Sequence, residues 1–489
     1  MPKLPPEIWL NIAKNLSKQE LRRHIGLNRI FLNVVLDRQW KHMRFSTAHL
    51  LYHDLERISD PFIAKRIETM HITLYIECKY SWKRRFKSIG SFCMHFRDTT
   101  VVRDAIGFMR KRPAKAPFVD VVNTLHAITP LLLNIRDITI MTSYGLSYSI
   151  SYPLLRNLLS SFSGSSGSSL RRLSLEGTLD EFSTLLGSNP TFNNLEELNL
   201  VFKETHSLSD SNWDINLLIS IVTPFINCLC YHLQVLSIKS YFALNLSEFF
   251  TTLTLFPILW KLDVRTAFHK TLQYPLSMIT FIANHSDTLR DLGLPMIPFQ
   301  RFSPDMEHHE ALMEWLVLLV ADDKCLAQLQ CLEIYPTKTV MGLDILLACI
   351  RRASNSLREI NIRGRFFSPH ETCLILDTLS HCDNLQSLGF NTCRLEIQLF
   401  DALAAKLPHV ERIVMMIDND FQEDQSRGIS PSFPEALQER QYISWNLKHL
   451  QVKPKGALLD TNILYALARS IPSLRFLGEN GVGRSDTRV

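Results

Sequence analysis

No apolar run in this 489-residue chain approaches the ~18–20 residues that a helix needs to cross a bilayer. The stretch Trp315–Ala321 is too short, so a membrane span is not expected. A secretory leader is not expected either, because Pro2, Pro5, Pro6 and Glu7 occupy the place of its apolar segment. The ten cysteines show no paired framework, which points to a reducing compartment rather than a disulfide-held fold. The sequons at Asn15, Asn245 and Asn284 then have no role. There is also no phosphate-cradling P-loop, no His-Glu-x-x-His zinc helix and no Gly-x-Ser-x-Gly nucleophile elbow. His370, Cys373, His381, Cys382 and Cys393 cluster in sequence, but their spacing matches no ordinary zinc module. These absences predict a cytoplasmic or nuclear protein that is not an enzyme and uses neither cofactor nor metal.

What is present is a repeated phrase: apolar, two variable, apolar, one variable, apolar. It reads Leu170-x-x-Leu173-x-Leu175, Leu195-x-x-Leu198-x-Leu200 and Leu233-x-x-Leu236-x-Ile238. It returns at Leu259, Leu289, Leu329, Leu357, Leu385, Val410 and Leu447, with a weaker copy at Ile135 and a partial one at Leu474. The mean interval from 135 to 474 is about 31 residues. Self-similarity at that period marks a solenoid, and the phrase resembles the strand of a leucine-rich repeat. The expected fold is an α/β solenoid, a horseshoe or arc with a parallel concave sheet and outer helices. Such arrays bind other proteins on extended concave surfaces.

Alternate strand residues point to opposite faces, so the repeated leucines turn inward and the residues between them outward. This puts Lys239, Lys261 and Arg265 on adjacent strands as a cationic patch suited to an acidic or phosphorylated segment. The later outward rows, from Gly293 through Gly389, hold small residues with Tyr335 and Arg363, leaving room for a partner's side chain. Lys239, Lys261, Arg265, Tyr335 and Arg363 are therefore the candidate substrate-binding residues. The alternative for each is an ordinary solvated sheet position. Only the repeat at Leu385 completes the longer phrase with Cys393; Thr178, Lys203, Tyr241 and Arg365 stand at that position elsewhere.

Residues 4–45 do not follow the repeat. Pro5 and Pro6 suit a first helical turn, and Glu7 suits its positive end. Ile8, Ile12 and Leu16 then recur at every fourth position as one stripe. Ser17 and Glu20 have the spacing of a capping box, opening a second short helix with Leu21 and Ile25. Leu27-Asn28-Arg29-Ile30-Phe31 leads into a third helix with Val34, Val35 and Trp40.

Over about 40 residues, Leu4-Pro5-x-Glu7-Ile8, Ile12, Leu16, Glu20-Leu21, Leu27-Asn28-Arg29, Phe31 and Trp40 resemble an F-box. With the repeats behind it, the chain is similar to fungal F-box proteins carrying leucine-rich repeats. The resemblance implies a three-helix module that docks on a Skp-type adaptor, and through it a cullin, in an SCF-type ubiquitin ligase. The implied adaptor contacts are Leu4, Pro5, Ile8, Ile12, Leu16 and Leu21, with Leu27 and Phe31 nearer the module's own core. His24-Ile25-Gly26 departs from the family by placing a glycine where an apolar helix continues. Read without the resemblance, the segment is a helical cap on the solenoid's end.

The expected domains are residues 1–45 (F-box), 46–134 (an irregular linking or early repeat region) and 135–489 (leucine-rich repeats). Ile67-x-x-Met70-x-Ile72 hints at an earlier start of the array. Lys79–Lys115 carries eleven Lys/Arg against two Asp, interleaved with Tyr80, Trp82 and Phe86, in a chain of net charge +5. It is either a solvated face or a nucleic-acid contact. Phe162–Ser169 reads as a flexible Ser/Gly spacer, and Asp418–Asn446 as an insertion that lies on the binding face or is an uninvolved loop. The function expected is substrate recognition for an SCF-type ligase acting on an unknown protein. The alternative is a repeat scaffold or nucleic-acid-associated adaptor with no ubiquitin role.

Overall fold

The computed structural model describes residues 4–24, 26, 28–46, 57–74, 118–142, 158–165, 169–204, 211–268, 276–298, 306–418, 428–456 and 458–478. The basic segment Lys79–Lys115, Ile25 and Leu27 lie outside them. The chain divides into two compact units, Met1–Leu233 and Gln234–Val489.

The first unit opens with three helices, α1 (Pro6–Asn15), α2 (Lys18–Arg23) and α3 (Arg29–Trp40). Proline in the first turn of α1 costs nothing, since its missing N–H has no intrahelical partner there. The capping box at α2 forms: the Ser17 N–H donates to Glu20 Oε2 at 2.8 Å and the Glu20 N–H to Ser17 Oγ at 3.3 Å. Asn28 caps α3 by accepting from the Ile30 N–H. Ala13, Leu21, Phe31, Val34 and Val35 close a small core, with Trp9, Leu16 and Ile30 packed at its margin.

Five parallel strands follow, paired in chain order: β1 (His42–Ser46), β2 (Thr69–Leu74), β3 (Asp137–Thr142), β4 (Arg172–Gly177) and β5 (Glu197–Phe202). The ladder thus begins at His42, directly after α3, and β2 is the phrase at Ile67. Ile67, Met70 and Ile72 are each at most 2% exposed, as inward repeat positions must be. A clamp ties α3 to this start. Arg66 donates to the Asn33 carbonyl at 3.3 Å and to Asn33 Oδ1 at 2.9 Å, pairs with Asp37, and lies 4.4 Å over the Phe62 ring. Phe62 belongs to α4 (Pro61–Ala64). Phe162–Ser165, expected as a spacer, instead ends the helix Leu158–Ser165. Leu158, Leu159 and Phe162 are buried at helical spacing, and that burial outweighs the weak helix preference of serine.

The second unit repeats the pattern. Its strands β6 (Val235–Ala243), β7 (Lys261–Phe268), β8 (Asp291–Leu294), β10 (Cys331–Ile334), β11 (Glu359–Ile362), β12 (Ser387–Thr392), β14 (Arg412–Ile417), β16 (His449–Pro454) and β17 (Phe476–Gly478) pair in parallel in that order. The short β9 (Ile297–Pro298) pairs with the end of β7, and β13 (Arg394–Leu395) with β15 (Gly428–Ile429). Parallel neighbours cannot be joined by a hairpin, so each pair needs a crossover. Helices such as Gly342–Ala353, Pro369–Leu379 and Thr461–Ser470 fill these connections.

Register aligns the phrase across strands: Leu332 faces Leu292 and Ile360, and Ile413 faces Leu388 and Leu450. From Leu170 to Val452, the inward residues of the ten full phrases are each at most 3% exposed. Truncating one to alanine costs about 2–5 kcal/mol, which explains why the phrase admits only apolar residues. The fold is the expected α/β solenoid type.

Of Asp418–Asn446, expected as an insertion, residues 419–427 lie outside the described ones; Gly428–Asn446 forms the outer half of a repeat, with β15 and the helix Phe433–Gln438. Phe433, Leu437, Tyr442 and Trp445 are buried. The Trp445 Nε1–H donates to the Leu407 carbonyl at 3.1 Å, and the Tyr442 hydroxyl to Asp401 at 2.8 Å.

Candidate functional site

Two surfaces could serve as sites. The first is the outer stripe of α1. Leu4, Ile8, Leu10 and Ile12 are 43%, 44%, 39% and 38% exposed, and Pro5 is exposed beside them. Ala13 is the only buried residue of α1 and Trp9 packs beside it on the core, while Ile8 and Ile12 face out. Trp9 sits at the boundary, edge-on to Phe31 with ring centroids 5.6 Å apart. Two of the six expected adaptor contacts stand elsewhere. Leu21 is 0% exposed inside the module core, and Leu16 is partly buried against that core. A helical stripe in sequence says which residues share a face; whether that face meets the module's own core depends on how α3 packs.

Arg38 fixes α1 in place, and sequence reasoning missed it. Its guanidinium donates to the carbonyls of Ala13 at 3.2 Å, Lys14 at 2.8 Å and Leu16 at 2.8 Å. Those of Ala13 and Lys14 are C-terminal carbonyls of α1 with no intrahelical donor, at the negative end of the helix, and Leu16 is its C-cap. The partners lie 22 to 25 residues away in sequence, beyond the reach of any local motif.

The second surface is the outward face of the sheet in the second unit. The expected cationic patch is compensated. Lys239 reaches Asp263 at 3.7 Å, Lys261 reaches Asp291 at 2.6 Å, and Arg265 and Arg363 share Glu333 at 3.4 and 2.7 Å. Each carboxylate stands on a strand one or two places along, so no uncompensated patch forms there. Burial holds the Glu333 carboxyl above its ordinary range despite the pull of Arg363 and Arg265.

Tyr335 is 4% exposed and packed on Gly364, so it does not line an open face. Nor do the glycines leave room. Asp263 Oδ1 lies 2.7 Å from where a Cβ on Gly293 would stand, and the Asn361 carboxamide lies 2.6 Å from the same point on Gly389. The neighbouring strand's own side chain fills each gap.

The open part of this face is a groove of about 470 Å³ over β11, β12, β14 and β16. Register lays the outward residues of β12, β14 and β16 in three rows, all but His449 lining the groove: Ser387, Arg412 and His449; Gly389, Val414 and Gln451; Asn391, Met416 and Lys453. Of the expected residues only Arg363 lines it. Arg412 and Lys453, which do line it, stand at outward positions of the phrases at Val410 and Leu447. The repeat pattern marks those positions as outward but does not distinguish them from the compensated cations.

Other polar clusters of the described residues hold loops together. Lys203 and Arg365, at the position three residues beyond their phrases, donate to loop carbonyls. Lys203 reaches Thr142 at 2.7 Å, and Arg365 reaches Thr337 at 2.8 Å and Thr339 at 3.2 Å. Burial pushes the Cys382 and Cys349 thiols up to about 11 and about 12, so neither is a ready thiolate. Among the described residues no three His, Cys, Asp or Glu converge as a metal site, and no helix is long and apolar enough to cross a membrane.

No family model matches the sequence, and comparison with curated proteins gives no match. Among solved structures, the chain is similar to the crystal structure of the Rad7 and Elc1 complex in yeast, at 12% identity and a TM-score of 0.42, over 98% of this chain and 94% of that one.

Proposed function

We propose that this chain is a non-catalytic substrate receptor of an SCF-type ubiquitin ligase. Its N-terminal module docks on a Skp-type adaptor, which joins it to a cullin, while the outward sheet face holds a protein substrate. The observation that carries this reading is the stripe Leu4, Ile8 and Ile12, 38–44% exposed beside a core already closed by Ala13, Leu21 and Phe31. A helix serving only as a cap would need no large apolar residues on its outer side. An outward apolar stripe at every fourth residue is what a helix-in-groove contact requires. The receptor's contribution to ubiquitin transfer is proximity: it holds a substrate lysine near a ubiquitin-loaded enzyme and performs no chemistry itself.

The test is co-purification of the full chain with a Skp-type adaptor, beside a variant carrying Leu4→Ala, Ile8→Ala and Ile12→Ala. The three side chains lie outside the module core, so the variant keeps its fold by circular dichroism. The expected result is a stoichiometric wild-type complex that the variant fails to form. Equal capture of both, or of neither, defeats the reading.

A further inference from the structure

We propose that the groove over β11, β12, β14 and β16 is the substrate site, and that it takes an extended protein segment of about five residues with an anionic side chain at each end and an apolar one between. This rests on the receptor reading above and names the substrate class for it. The first ground is charge. Arg265, Lys239, Lys261 and Arg363 each have a carboxylate on a nearby strand. Arg412 and Lys453 stand differently: the groove's one lining carboxylate, Glu359, lies two strands from Arg412 in register and is ion-paired with neither. Arg412 is flanked in register by Ser387 and His449, and Lys453 by Met416. Among the described residues neither makes an ion pair. Two cations against the single lining carboxylate Glu359, with no ion pair among the described residues, leave a net attraction for anions on this face.

The second ground is spacing. Arg412 pairs with His449 on β16, and Lys453 lies four residues further along that strand. With strands ~4.8 Å apart and a rise of ~3.3 Å per residue, the two side chains originate ~14 Å from each other. An extended chain covers that distance in about four residue steps, hence a segment of about five residues. The third ground is the floor between them. Val414 stands at the centre of the middle row, between Gly389, whose gap the Asn361 carboxamide fills, and Gln451, with the 39%-exposed Met416 at its border. A methionine border adapts to differently shaped apolar groups. The anionic ends are carboxylates or phosphorylated hydroxyls; both supply oxygen acceptors for charge-assisted hydrogen bonds.

The experiment measures binding of fluorescently labelled pentapeptides to the full chain by anisotropy. One peptide has glutamates flanking a central leucine and alanines between; a second has phosphoserines for glutamates; a third has glutamines; a fourth has lysines. A single-stranded oligonucleotide of five bases completes the set. The glutamate or phosphoserine peptide should bind, and the stronger of the two identifies the source of the anion. The glutamine and lysine peptides should bind at least tenfold more weakly. Arg412→Gln and Lys453→Gln should each weaken the anionic peptide about tenfold, as expected for a lost charge-assisted contact. Val414→Trp should block the floor and abolish binding, while Arg469→Gln on the outer helix Thr461–Ser470 changes nothing. Equal binding of the glutamine peptide, unchanged affinity in the Arg412→Gln and Lys453→Gln double variant, preference for the oligonucleotide, or no anionic binding at millimolar peptide would each overturn the proposal. Adaptor capture is read on the same samples. Its persistence with a failed peptide site sinks this inference alone, and its loss with peptide binding intact sinks only the ligase reading.

Discussion

Tyr335 sets the edge of its ring against Gly364: a Cβ on that glycine would stand 1.7 Å from the ring's Cε2. Gly364 also has φ of +81°, a left-handed backbone that side-chain-bearing residues rarely adopt. Two constraints therefore meet at one residue on the edge of the groove. Gly364→Ala is expected to destabilise the second unit by about 2–5 kcal/mol, from the backbone penalty and the displaced ring together. Urea unfolding followed by tryptophan fluorescence checks it. Adding Tyr335→Ala should recover the part due to the ring and leave the part due to the backbone, so the two changes must couple. Strict additivity would mean the ring moves aside without cost.

Arg38 supplies α1 with three carbonyl contacts that the helix cannot make for itself. Arg38→Ala should loosen α1 by about 1–3 kcal/mol and speed amide hydrogen exchange in residues 6–16 by about tenfold or more. The exposed stripe is then no longer held in one orientation, so adaptor capture should weaken although none of its contact residues is changed. Exchange rates identical to wild type would show that the clamp is dispensable.

Asp214, in the helix Ser211–Leu217, has a buried Oδ1 without a hydrogen-bond partner among the described residues. Burial, and then the charge of Asp180, push its carboxyl from 3.8 up to about 6. The sign follows from linkage: with the folded value above the unfolded one, the folded state holds the proton more tightly. The favourable contribution is full below about 3.8 and is lost as pH rises through about 6. Asp214→Asn removes the ionisation and should make the chain more stable than wild type at about pH 7.5, with the gap narrowing towards about pH 5. Urea midpoints at those two pH values decide it; a gap that does not change with pH would show that Asp214 is not the titrating group.

The amino-acid sequence by itself determined the repeat, its inward residues and the exposed stripe of the first helix. All three depend on local periodicity. Burial at positions 1, 4 and 6 of each phrase sets the strand, and Ile8 and Ile12 one turn apart set the helix face. Local rules also account for the capping boxes at Ser17, Thr178 and Ser368, each made within four residues.

Only the tertiary structure decided which outward groups are available. Lys239 and Lys453 occupy outward strand positions alike, yet one meets Asp263 and the other Met416. Those neighbours come from an adjacent strand, more than twenty residues away, and follow from register and crossover length rather than from the phrase. Leu21 and Tyr335 turned inward for the same reason. An apolar or aromatic side chain goes to whichever face another element covers, and helix packing or a glycine on the following strand settles which face that is.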